Sequence, residues 1–231
     1  MIKQDSLILV WMEDLGFSTA ARLDLRVDSG EYVVISGIYG ADKINFINVL
    51  GCIGRPSNGK YIFDYNDIST IESEKLNNIR SKYIGFVFKG LNIVDGLTVY
   101  KNIEIPLLSS NSSEKDKEVT KAAEGFGLKE LLHKKARELS DFERYKVALA
   151  RALVVKPLLI IVDETGENLS KQESSMLLDI IDKINAEGIT IITFSDTEEV
   201  IKRAARQIIF EKGIIKADNR TSQDNSKEGA V

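Results

Sequence analysis

Apolar positions along this chain fall into two rhythms, every second residue in some stretches and every third or fourth in others. The switches between them predict its elements. Residues 6–10 and 23–27 read as strands, the second alternating cleanly, with a turn at 28–31. Residues 32–36 form an apolar strand that leads into a glycine turn. An apolar helical pattern then runs from Lys43 to about Leu50 and ends at Gly51. Asn58-Gly59 signals a hairpin between residues 60–63 and the segment before them. Residues 72–80 read as a polar helix, and 83–88 as a short strand interrupted by Gly85. A helix starts near residue 97 and is disturbed by Pro106, a polar loop spans 109–113, and a charged helix opens at 114–118. Residues 140–155 form an amphipathic helix. Strands at 158–162, 190–194 and 207–210 then alternate with helices at 172–186 and 197–205, the first of these helices ending near Gly188, and a turn follows at Lys212-Gly213. The strand 158–162 is all apolar, as a strand buried on both faces should be, and 190–194 reads as another buried strand. From Asp218 to residue 231 the chain is too polar to pack and is expected to be a disordered tail.

Strands alternating with helices specify an α/β fold with a mostly parallel sheet. Residues 97–150 contain no strand pattern and are expected to form a helical subdomain between two sheet-forming parts. With 231 residues, 43% of them hydrophobic, the chain can bury a substantial core. Its net charge of −4, with no basic stripe or arm, argues against nucleic acid as a partner. The one cysteine, Cys52, lies in an apolar pattern and reads as a buried, inert thiol in a reducing cytoplasm. No basic segment precedes a long apolar stretch, so no secretory leader is expected, and no run of ~18 apolar residues predicts a membrane span. The one histidine, His133, reads as a solvated helix-end residue.

Candidate chemistry gathers where the apolar strands end. Gly37-Ile38-Tyr39-Gly40-Ala41-Asp42-Lys43 has the order of a phosphate-binding loop, in which backbone N–H groups and a helix N-terminus face phosphate. Gly37 and Lys43 fit the pattern G-x-x-x-x-G-K-[ST]. Asp42 replaces the second glycine, Ile44 replaces the hydroxyl residue, and Asn45 follows. Asp163 and Glu164 follow the strand 158–162, at the edge where open α/β sheets bind ligands. There Asp163 would orient magnesium and Glu164 would act as general base toward water. Trp11, upstream of the glycine loop, reads either as an adenine-stacking residue or as an ordinary core or surface aromatic. The charge run at 114–118 reads as a solvated face.

Four further stretches join the glycine loop: Tyr83-Ile84-Gly85-Phe86-Val87-Phe88-Lys89, Leu139-Ser140-Asp141-Phe142-Glu143 with Val147-Ala148-Leu149-Ala150-Arg151-Ala152-Leu153 after it, Leu159-Ile160-Ile161-Val162-Asp163-Glu164, and Asn168-Leu169. In this order the chain resembles the ATP-binding subunit of an ABC transporter over residues ~5–216, most closely the lipoprotein-release, macrolide-export and cell-division group. The resemblance implies a P-loop NTPase core with a mostly parallel sheet, an antiparallel β part at the N-terminus and a helical signature subdomain. These would form one nucleotide-binding domain over residues 1–217, followed by the tail at 218–231. It also implies ATP as ligand, held by Gly37, Tyr39, Gly40, Ala41, Asp42, Lys43, Ile44, Asn45, Lys89, Ser140 and Asp163, with Glu164 as the base. The implied partners are a membrane permease, coupled through the apolar stretch between Lys89 and Val99, and a second nucleotide-binding subunit. The implied location is the cytoplasmic, inner face of the plasma membrane.

The same resemblance exposes departures. The family's magnesium-binding hydroxyl is Ile44, and its last loop glycine is Asp42, whose carboxylate would face phosphate. The glutamine that contacts metal and water is Lys89, and two signature-loop glycines are Asp141 and Phe142. The aspartate closing the loop after Asp163-Glu164 is Ser170, and the switch histidine is Ser195. Side chains at the two signature positions obstruct the approach of backbone to a γ-phosphate held by the other subunit. The new positive charge of Lys89 would neutralise Asp42 or stand in for the missing metal. Groups that handle transition-state charge are each worth orders of magnitude in rate. Losing several implies slow hydrolysis, magnesium stripped of ligands, and a heterodimer whose residual turnover uses an intact partner's machinery. Two other readings stay open, a nucleotide-independent scaffold or regulator on this fold and an active ATPase with compensating substitutions.

Overall fold

The computed structural model describes residues 8–17, 22–108, 113–164, 166 and 168–220. They form two compact units: the chain up to Arg80 together with the chain from Ile184 onward, and the segment from Ser81 to Lys183.

The first unit contains an antiparallel sheet in which β1 (Ile8–Gly16) pairs with β2 (Arg22–Asp28) on one side and β4 (Asn58–Phe63) on the other, with β5 (Asn66–Asp67) beyond β4. The alternation of β2 is visible in its burial: Leu23, Leu25 and Val27 point inward and the residues between them outward. The expected first strand at 6–10 is longer than its apolar signal, because β1 runs on through a bulge at Asp14, a left-handed residue (φ 46°). Its Ser6 and Leu7 lie outside the described residues.

The hairpin expected at Asn58-Gly59 is also corrected. Both residues belong to β4, and Gly59 lies so close to the β1 bulge that a Cβ there would meet the Asp14 carbonyl oxygen at 2.1 Å. Glycine is needed for that approach rather than for a turn. The actual hairpin turn is Asp64-Tyr65, both left-handed (φ 44° and 62°), which joins Phe63 to its partner Asn66.

The second sheet of this unit centres on β3 (Tyr32–Ser36), buried at every residue. β3 runs parallel to both β8 (Thr190–Phe194) and β9 (Arg206–Glu211), and β10 (Ile214–Arg220) pairs antiparallel with β9. α1 (Gly40–Leu50) is anchored by Phe46, fully buried among Phe17, Phe194 and Phe210 with ring centroids 4.9–5.9 Å away. α7 (Glu198–Arg203) connects β8 to β9. The tail expected from Asp218 starts too early. Residues 218–220 continue β10 because the Arg206 guanidinium forks onto Asp218 at 2.6 Å through both Nε and Nη2, and also reaches Glu31 and the Arg26 carbonyl. Residues 221–231 lie outside the described residues.

α2 (Ser73–Tyr83) leads into the second unit, where β6 (Ile84–Val87) and β7 (Leu159–Asp163) form a parallel pair. Between them come α3 (Val99–Glu104), α4 (Lys115–Gly125) and α5 (Asp141–Leu153), around a core that includes Val99, Ile103, Leu128, Ala136 and Val147. Pro106, which lacks an N–H donor, converts the end of the expected helix into a 3-10 turn at Ile105–Leu107. Residues 109–112 of the expected polar loop lie outside the described residues. α6 (Lys171–Ala186) returns the chain to the first unit. The parallel pairs, the N-terminal antiparallel sheet and the helical part agree with the expected α/β P-loop NTPase architecture.

The connection from β6 to α3 is clamped. Leu91 and Asn92 are both left-handed (φ 57° and 48°), and Arg151 of α5 donates to both of their carbonyls, the Asn92 bond being 2.6 Å long. The fully buried amide of Asn102 accepts from the Val94 N–H at 2.8 Å and donates to the carbonyls of Val94 (3.1 Å) and Thr98 (3.0 Å). Asn102→Ala strips these bonds from a fully buried position and leaves the Val94 N–H without its acceptor. Chemical denaturation should show a loss of about 2–4 kcal/mol, whereas an exposed change such as Lys101→Ala should stay within about 0.5 kcal/mol.

Candidate functional site

The glycine loop grows directly out of β3. Gly37 is left-handed (φ 74°), and a Cβ there would meet the Phe210 carbonyl oxygen at 2.1 Å, so the crossing of this loop over the end of β9 requires glycine. Tyr39 is the extended N-cap of α1, with its side chain 65% exposed and no side-chain capping bond. Gly40 opens the helix in left-handed geometry (φ 57°). Ala41 is exposed, and Asp42 and Lys43 are half-buried in the first turn. Ile44, at 58% exposed, and Asn45 turn outward. The loop therefore has the strand–glycine–helix form of a phosphate cradle. It also carries a carboxylate in the first turn of its helix, where the helix dipole favours an anion, and an exposed isoleucine in place of a hydroxyl.

A second carboxylate reaches the loop from β8. Ile35 pairs with Phe194, and the register continues past both strands: the Ser195 N–H donates to the Ile35 carbonyl at 3.0 Å. Two residues beyond that pair, Asp196 Oδ1 accepts the Gly37 N–H at 2.9 Å. The Asp196 charge also pushes the Tyr39 phenol above its usual range, helped by burial and by a hydrogen bond to Asp196, while Lys43 opposes the shift. Sequence reasoning missed Asp196. Its signal was present: like Asp163 it follows the end of an apolar strand, where ligand sites form. Ser195 is buried, and its Oγ accepts the Thr197 N–H at 3.2 Å.

In the second unit the same geometry repeats. Val87 of β6 pairs with Val162 of β7, and two residues beyond them Lys89 Nζ lies 2.9 Å from Glu164 Oε2. Asp163 ends β7 half-buried, and Glu164 is left-handed (φ 57°), a conformation that stores strain in a residue other than glycine. The added charge of Lys89 thus pairs with the candidate base.

The expected signature segment is built as a helix start. Ser140 is the N-cap of α5 in a reciprocal capping box: the Glu143 N–H donates to Ser140 Oγ at 3.3 Å, and Glu143 Oε2 accepts from the Ser140 N–H (2.8 Å) and hydroxyl (3.1 Å). Asp141 and Glu143 put two carboxylates in this first turn. Phe142 lies under Lys146, whose Nζ is 5.4 Å from the ring centroid. Ser170 repeats the arrangement with Glu173 at the start of α6.

Other candidates resolve simply. Trp11, 40% exposed, has Lys60 Nζ 5.2 Å from its ring centroid, which makes it a surface aromatic with one face covered. Cys52 is buried and free, and burial pushes its thiol up to about 12. His133 is exposed in the turn after a 3-10 segment at Lys129–Leu131.

Comparison with known proteins agrees with this architecture. A family model described as ABC transporter matches residues 20–167. The ABC transporter ATP-binding protein YknY of Bacillus subtilis is 34% identical over 201 residues, 86% of this chain and 87% of that protein. The macrolide export ATP-binding/permease protein MacB of Bdellovibrio bacteriovorus is 29% identical over 209 residues, 90% of this chain but 32% of that longer protein. Among solved structures, the dimeric ATP-binding cassette MJ0796 in a post-hydrolysis state with ADP and Pi superposes with a TM-score of 0.80 at 24% identity, covering 92% of this chain and 98% of that one. CbiO1 of Clostridium perfringens, part of the ABC transporter complex CbiONQ, gives 0.82 at 21% identity, covering 96% and 92%. The chain belongs to the ABC transporter family, as an ATP-binding subunit. Among the described residues, no helix is long and apolar enough to cross a membrane.

The capping box at Ser140 contributes to stability whatever the chain binds. Ser140→Ala should cost about 1 kcal/mol in a denaturant titration, and Ser140→Asn or Ser140→Asp should recover most of it.

Proposed function

We propose that this chain is a nucleotide-binding subunit that holds ATP and hydrolyses it slowly, on the cytoplasmic face of a membrane permease and paired with a different nucleotide-binding subunit. The observation that carries the reading is the Lys89–Glu164 ion pair. The carboxylate oxygen that would take a proton from the attacking water accepts from an ammonium instead. The glycine loop supports nucleotide binding, since Gly37, Gly40 and Lys43 keep the strand–loop–helix frame. The residues that the resemblance puts around magnesium do not suit a hard dication: Ile44 offers no oxygen, and Lys89 adds a positive charge. The signature segment would receive a partner's γ-phosphate poorly, because Glu143 already accepts at its helix N-terminus and Asp141 adds a second carboxylate to the first turn.

If nucleotide binds, thermal unfolding should shift upward with ATP. At about 100 times the dissociation constant the added stability is about 2.7 kcal/mol. No shift with Mg-ATP, and none with ATP in EDTA, would select the scaffold reading instead.

Turnover of the assembled complex should lie well below the common enzyme range of ~1–10³ s⁻¹. The double change Asp141→Gly with Phe142→Gly should raise it, because that segment serves the site whose metal and water groups belong to the intact partner. Asp42→Gly with Ile44→Ser should matter less, since Lys89 and Ser195 remain. Brisk turnover of the native complex, abolished by Glu164→Gln, would establish the active ATPase. Rescue by the glycine-loop changes alone would place the working site in this chain's own loop.

A further inference from the structure

We propose that Lys89 is a positioning residue of an unusual kind: an electrostatic brake on Glu164, held in place by the fold and released when its charge is removed or screened. The inference rests on the reading that this chain holds ATP and that Glu164 stands where its base would be.

The contact is built from backbone on both sides of Lys89. Before it, β6 and β7 pair in parallel with Val87 opposite Val162, and this register brings Lys89 Nζ to 2.9 Å from Glu164 Oε2. After it, Leu91 and Asn92 are left-handed (φ 57° and 48°), and Arg151 donates to both of their carbonyls. Leu91 is buried, and a bulky residue persists in that conformation only where its surroundings impose it. Farther along, Arg144 Nη1 holds Asp95 Oδ1 at 2.7 Å and the Ala136 carbonyl at 3.0 Å. Glu164 is itself left-handed (φ 57°). Ordered backbone therefore presents the ammonium and the carboxylate to each other.

A general base has to gain a proton, and Glu164 would lose its charge in doing so. That step cancels the charge with which Lys89 pairs. An ammonium has donors and no acceptor, so Lys89 cannot relay the proton from water to Oε2. The ion pair has to open first. Opening is feasible because the Lys89 side chain is 49% exposed and that of Glu164 is 38% exposed, so water solvates each. A pair this exposed is weak and is screened by salt. The brake therefore slows the step and does not abolish it.

The test measures ATP turnover of the assembled complex in which this chain carries Asp42→Gly and Ile44→Ser, so that those two departures do not mask the effect. Adding Lys89→Met, which removes the charge at similar length, should raise turnover roughly fivefold, the worth of a partly exposed ion pair. Methionine is a cleaner choice than glutamine, which would bring its own contacts to metal and water. Lys89→Arg keeps the charge and should stay at the starting rate. Raising salt from about 0.05 to 0.5 M should narrow the gap between the Lys89 and Lys89→Met complexes. Adding Glu164→Gln to Lys89→Met should erase the gain. The proposal is overturned by no gain from Lys89→Met, by an equal gain from Lys89→Arg, by a gap that salt leaves unchanged, or by a gain that survives Glu164→Gln. Each of these outcomes leaves the preceding subsection's reading standing so long as ATP still raises the unfolding temperature. If ATP gives no such shift, that reading fails and this proposal falls with it. Should Lys89→Met not fold, Lys89→Ala takes its place with the same outcomes.

Discussion

Parallel strand register is the constraint on which both candidate sites depend. When two parallel strands pair residue for residue, the chain continuing from each end stays in step for a short distance, and groups at equal offsets meet. Ile35 opposite Phe194 brings Gly37 to Asp196, and Val87 opposite Val162 brings Lys89 to Glu164. In each case the contact lies two residues past the registered pair, on the edge where open α/β sheets expose their ligand-binding loops. The register is in turn enforced by burial. β3 and β8 are buried at every residue, and β7 at every residue but its last. A slip of one residue would exchange the side chains packed on the two covered faces.

In each unit, the group that would meet a ligand is satisfied from within the protein. A carboxylate accepts the loop amide, an ammonium binds the candidate base, and Glu143 occupies the start of α5. Each contact satisfies a donor or a charge within the fold. Of the departures, the Lys89 substitution is matched by such a contact, its ion pair with Glu164.

The framework around these sites shows why such changes are tolerated. Phe46 and its aromatic neighbours hold α1 in place whatever stands at Asp42 or Ile44. Arg151 holds the left-handed turn after Lys89 by its carbonyls, and Asn102 holds the backbone at Val94 and Thr98. Because these anchors lie away from the phosphate-facing positions, side chains there can change without unfolding the scaffold.

Much of this was legible in the sequence. Helices and strands followed from the period of apolar residues, because burial of one face is a local requirement written into consecutive positions. The glycine loop, the strand-end Asp163-Glu164, and the Ser140 cap followed from spacing, since each depends on residues only a few positions apart. Asn58-Gly59 misled because glycine serves turns and close packing equally, and only the bulge at Asp14 decides between them. The polarity of Asp218–Arg220 misled because an arginine 12 residues earlier, Arg206, holds Asp218 in the sheet. The Asp196–Gly37 bond joins residues 159 apart, and its formation depends on which strands pair and in what register. The sequence by itself determined the main elements, the family and the positions that depart from its motifs. Only the tertiary structure decided which contacts the residues at the strand ends make, because a contact between distant residues is set by strand pairing and not by any local pattern.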